Sequence, residues 1–144
     1  MSSNGKERVR TFISNLDDQM GGGIPKGHVV LLSGNPGTYK SSLAYNLLYH
    51  NAIEEGKKGL YISFHQSRES LKDQFRSLNM PYENVEHQIT IVDVSYLRDT
   101  IDMSPDNWVE VFKRYVENIR ATTDYELLVV DSLTTLEMIS QMDN

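Results

Sequence analysis

Gly34-Asn35-Pro36-Gly37-Thr38-Tyr39-Lys40-Ser41 is the stretch on which the reading of this chain turns. It follows a β-rich run at residues 28–33 and opens into a helical pattern from Ser42. In that pattern Leu43, Ala44, Leu47, Leu48 and Ala52 recur on one stripe before a stop at Gly56. A glycine-rich turn between the end of a strand and the start of a helix presents consecutive backbone N–H groups and the positive end of the helix dipole, which together hold phosphate oxygens. The pattern G-x-x-x-x-G-K-[ST] adds a lysine for the β- and γ-phosphates and a hydroxyl for Mg²⁺. Lys40 and Ser41 fill those two positions. The candidate phosphate-binding set is therefore Gly34, Asn35, Pro36, Gly37, Thr38, Tyr39, Lys40, Ser41 and Ser42, with Ser41 also a candidate metal ligand. One fixed position departs from the pattern: Tyr39 stands at the second glycine and brings a Cβ and a ring to a place where backbone approaches phosphate. Taken alone, such a near-match reads equally as a Gly/Pro turn before an ordinary helix.

Working outward, three more β-rich runs appear at residues 59–64, 88–94 and 126–132. Helical patterns separate them. Ser67 is placed to cap a helix with the stripe Leu71, Phe75 and Leu78, closed by Pro81. Ser104 and Pro105 start another, in which Trp108, Phe112, Tyr115, Val116 and Ile119 keep the period up to Thr122. Strands alternating with such helices predict an α/β fold, a mostly parallel sheet with helices on both faces. The last run ends in Asp131-Ser132, and that order of strands sets Asp131 beside the glycine-rich loop as a second candidate metal ligand.

Composition narrows the function classes. A chain of 144 residues with 39% hydrophobic and 24% charged residues reads as a single domain over 1–144. Its apolar runs are far too short to span a membrane, so the expected location is the cytoplasm. With no cysteine there are no disulfides or thiolate metal sites, and His28, His50, His65 and His87 lack ligand spacing for zinc. Ser41 and Ser132 lie outside any Gly-x-Ser-x-Gly elbow, which removes support for serine hydrolase chemistry. The net charge of −6 argues against a general DNA-binding footprint, though residues 1–80 carry +3 and residues 81–144 carry −9.

The segment before the first run reads Arg8-Val9-Arg10-Thr11, Ile13, Leu16-Asp17, then Gly21-Gly22-Gly23-Ile24-Pro25-Lys26-Gly27. With this leader, the loop and the Asp131-Ser132 strand end, the chain resembles the KaiC branch of the RecA-like P-loop ATPases over nearly its whole length. The resemblance implies a RecA-like core binding ATP with Mg²⁺, often in a ring or filament. Family domains continue past the Asp-Ser strand, so this chain reads as the N-terminal portion of the usual domain, with a homo-oligomer or a partner chain completing the sheet. The family's two glutamates after the second strand are replaced here by His65 and Gln66. Gln66 can orient a water and His65 can accept a proton, so slow hydrolysis is one expectation. Both residues could equally do no more than cap the next helix. A non-hydrolysing pseudo-ATPase, working as a regulatory or protein-interaction module, is the alternative function.

Overall fold

The computed structural model describes residues 5–94 and 105–134. In chain order its elements are β1 (Arg8–Val9), α1 (Leu16–Gln19), β2 (Ile24–Pro25), α2 (Lys40–Glu55), β3 (Gly59–Ser63), α3 (Arg68–Ser77), a 3₁₀ turn (Tyr82–Asn84), β4 (Ile89–Asp93), α4 (Pro105–Thr122) and β5 (Leu127–Asp131). β4, β3 and β5 form a parallel sheet in that order, and β1 pairs antiparallel with β2.

Every residue of β3 is buried, as the central strand of a parallel sheet covered on both faces must be. Successive side chains leave it in opposite directions. Tyr61 enters a layer with Tyr45, Leu48, Leu71 and Phe75 from α2 and α3, whereas Leu60, Ile62 and Phe64 meet a layer holding Phe112, Val116 and Ile119 of α4. The expected α/β architecture, helices on both faces, is thus the observed one. Ser104 and the Trp108 side chain, read as cap and core of α4, lie outside the described residues. No helix among the described residues is long and apolar enough to cross a membrane.

Three local expectations need correction. The buried face of α2 is built on Tyr45, Leu48, Tyr49 and Ala52, and Leu43, expected on that face, is 36% exposed. Aromatic area decides the rotation: Tyr45 lies flat on Phe75 with ring centroids 3.5 Å apart, and both rings meet Tyr61 near edge-on. Next, α3 ends before Pro81, at Ser77 with Leu78 as its C-cap, and Asn79 then turns into the left-handed region at φ 59°. Finally, residues 28–33 form no strand within the described structure, and Val29 and Leu31 are 98% and 73% exposed. Strand residues exist by ladder pairing, and none of the described residues pairs with this segment. The predicted stop at Gly56 is met: at φ 64° its N–H and that of Lys57 take the carbonyls of Ala52 and Asn51.

The leader folds as a compact lobe against α2. Gly23, at φ +122°, lies against β1 so closely that a Cβ there would sit 2.2 Å from the Val9 carbonyl oxygen. Arg8 Nη1 donates to the carbonyls of Met20 and Gly23. Fully buried Asn51 donates through Nδ2 to the Arg10 carbonyl and to the Leu47 carbonyl of its own helix. Asp17 receives the Thr11 N–H and hydroxyl on Oδ1 and the Phe12 N–H on Oδ2. Partial burial pushes its carboxyl upward, but these three donors outweigh that and hold it below its ordinary value. A carboxylate so depressed contributes stability above its unfolded value and loses it as pH falls through the folded one. The Thr11 and Phe12 amide resonances should therefore titrate with a midpoint below the ordinary 3.8. A midpoint at or above 3.8 in an NMR titration would remove Asp17 as the tie of this lobe.

Candidate functional site

The register of the sheet brings the carboxyl ends of its strands together, with Ser63 opposite both Asp93 and Asp131. α2 starts beside them, so two polar groups 90 residues apart in the chain meet: Ser41 Oγ donates to Asp131 Oδ2 at 2.7 Å. The Tyr61 hydroxyl donates to the same oxygen at 2.6 Å. Burial first, and then the Asp131 charge, drive the Tyr61 hydroxyl far above its ordinary value, so it remains a proton donor at any working pH.

Lys40 folds back over the loop, donating from Nζ to the carbonyls of Gly34 at 2.8 Å and Asn35 at 2.9 Å. Thr38 Oγ1 donates to the Asn35 carbonyl, and a Cβ on Gly34 would sit 2.8 Å from Thr38 Oγ1, so a larger residue at 34 must displace that hydroxyl. Tyr39 takes up the left-handed backbone, φ 62°, that a glycine would adopt more cheaply, and precedes the first helical residue. Tyr39 is 75% exposed and borders an open groove of about 530 Å³ with Phe12, Leu43, Asn46 and His50. The helix opens at Lys40, two residues earlier than the pattern predicts. Ser42 is buried, its hydroxyl accepting from Gln74 Nε2, so what it can offer a loop ligand is a backbone N–H of the first helical turn.

Ser67 accepts from the Ser70 N–H and so caps α3 itself, which answers whether His65 and Gln66 serve as its caps. The Gln66 backbone is tied at both ends to Ser63 Oγ. His65 Nε2 lies 3.1 Å from Ser132 Oγ, next to Asp131. Tyr61 escaped the sequence reading altogether. The available signal was a tyrosine in the middle of a strand expected to be buried, since a buried tyrosine must find its O–H a partner.

The donor chemistry here suits Mg²⁺. Ser41 and Asp131 offer hard oxygen. Magnesium is held in that manner, by one or two protein oxygens with water and substrate phosphates completing the shell.

The family model described as "ATPase: KaiC" matches residues 9–144. The chain belongs to the KaiC ATPase family. A UPF0273 protein of Saccharolobus solfataricus is 33% identical over 143 residues, covering 90% of this chain and 49% of the relative. A circadian clock oscillator protein KaiC of Picosynechococcus is 32% identical over 93 residues, covering 63% of this KaiC-family chain and 18% of the relative. The crystal structure of a KaiC-like protein from Pyrococcus horikoshii superposes with a TM-score of 0.71 at 28% identity, over 92% of this chain and 56% of that one. These likenesses make the fold that of a RecA-type KaiC domain. The chain spans about half the length of the relatives it matches along most of its own length.

Proposed function

We propose that this KaiC-family chain binds ATP with Mg²⁺ at the 34–42 loop and turns it over slowly. The observation that carries the reading is the Ser41–Asp131 bond, which ties the loop helix to the end of β5 at the spot where a phosphate-bound cation is wanted. In this reading the backbone N–H groups of Gly34, Asn35, Gly37, Thr38, Tyr39, Lys40, Ser41 and Ser42 cradle phosphate, with Pro36 shaping the turn. Lys40 exchanges its two loop carbonyls for phosphate oxygens. Ser41 and Asp131 would hold the magnesium, which when bound neutralises charge on the phosphates. Gln66 orients the attacking water, and His65 is placed to accept its proton. Working as a homo-oligomer, or with a partner chain, fits the exposed apolar Val29, Leu31 and Leu128. A cytoplasmic setting fits the same reading.

Charge-assisted hydrogen bonds are worth roughly 1.5 to 3 kcal/mol, so Lys40→Ala should weaken ATP binding about tenfold or more. Equal affinity of variant and parent by calorimetry would sink the proposal. A second reading, a non-hydrolysing regulatory module, is favoured by one observation: neither residue at the end of β3 is a carboxylate, and His65 is engaged with Ser132. ATP that is bound with parent-level affinity yet never cleaved in the presence of Mg²⁺ would select it.

A further inference from the structure

Tyr61 sits at the centre of β3, fully buried, and its ring meets the stacked Tyr45–Phe75 pair edge-on. A phenylalanine would fill this place equally well for packing, so the hydroxyl needs its own account. It goes to Asp131 Oδ2, the oxygen that also receives Ser41. The two donors differ in what else they can do. Ser41 stands at the start of α2, in the loop assigned to phosphate, and its oxygen is itself a candidate ligand. Tyr61 is sealed from solvent, and its hydroxyl donates to Asp131 from inside the core. When Ser41 turns to a cation, the buried tyrosine is the donor left to fix the carboxylate.

We propose that Tyr61 is a positioning residue for the magnesium site, holding Asp131 through its buried hydroxyl so that the carboxylate stays set for the cation and its water. The inference rests on the ATP·Mg²⁺ reading and deepens it. Groups that orient metal ligands from behind typically cost ten- to a hundredfold in metal affinity when removed. The experiment uses the full chain, a non-hydrolysable ATP analogue and MgCl₂, with calorimetry in the presence and absence of the metal. Tyr61→Phe should lower the apparent Mg²⁺ affinity of the analogue complex about tenfold while leaving metal-free analogue affinity within twofold. In an Asp131→Asn background the same substitution should change Mg²⁺ affinity by less than twofold, because its effect runs through the carboxylate.

Mg²⁺ affinity within twofold of the parent in Tyr61→Phe, or an undiminished loss in the Asp131→Asn background, overturns the role of Tyr61 and leaves the nucleotide reading standing. A parent chain that binds no analogue overturns both. A purely structural hydroxyl would lower thermal stability without touching the ratio of metal-loaded to metal-free affinity. Proton NMR on the unmodified chain supplies a check that needs no variant: the Tyr61 hydroxyl proton should stay protected from exchange after MgCl₂ is added to the analogue complex. Its loss on metal addition overturns the proposal.

Discussion

Replacing His65 and Gln66 together by glutamate should raise the single-turnover rate of ATP hydrolysis by about 10² to 10⁴, the usual worth of a positioned general base. On the proposed reading, the neighbours such a base needs lie around this strand end. His65 lies beside Ser132, and Asp131 is held one residue away by Ser41 and Tyr61. What the exchange adds is a carboxylate acceptor: glutamine is no base, and the His65 imidazole, the acceptor of the proposed slow reaction, lies 3.1 Å from the Ser132 hydroxyl. Neither substituted residue caps α3, since Ser67 does, so the exchange leaves that helix start intact. ATP affinity should stay within a few fold of the parent. A rate no higher than the parent's at saturating ATP, with affinity unchanged, would reject the missing carboxylates as the bottleneck.

Phe75→Ala should destabilise the chain by about 3–5 kcal/mol, the range for emptying a buried aromatic position. Phe75 is fully buried and contacts two rings at once, lying flat against Tyr45 and edge-on to Tyr61. Its loss leaves a cavity between α2, α3 and β3. Domains of ordinary stability hold only about 5–15 kcal/mol, so a large part of the total goes with one side chain. Urea denaturation of parent and variant measures the difference. A loss under about 1 kcal/mol would show that the α2–α3 layer is not the core on which the site rests.

The parts of the site that were legible in sequence are those fixed by local chemistry. Gly34, Gly37, Lys40 and Ser41 announce a loop, a run of apolar residues ending in Asp131 announces a strand tip, and Ser67 is a helix start visible three residues from its partner. Tertiary choices were not legible. The stripe of Leu43 and Leu47 satisfies helical periodicity as well as that of Tyr45 and Tyr49, and only the opposing Phe75 and Tyr61 choose between them. Residues 28–33 have strand composition, but composition cannot supply a ladder partner. Tyr61 was hidden for a related reason: alternation along a strand says which face a side chain enters, not which atom its hydroxyl will find there.

Asn51 gives the leader a mechanical meaning. It grips the Arg10 carbonyl from a point eleven residues along α2 from Lys40, a span of about 17 Å at the rise of an α-helix. A helix of that length transmits a push or a twist with little bending, and its far end carries the loop lysine and serine. Residues 8–25 and the loop at 34–41 are consequently two ends of one stiff rod. Force applied to the leader either arrives at the loop or breaks the Asn51 hydrogen bond to the Arg10 carbonyl on the way.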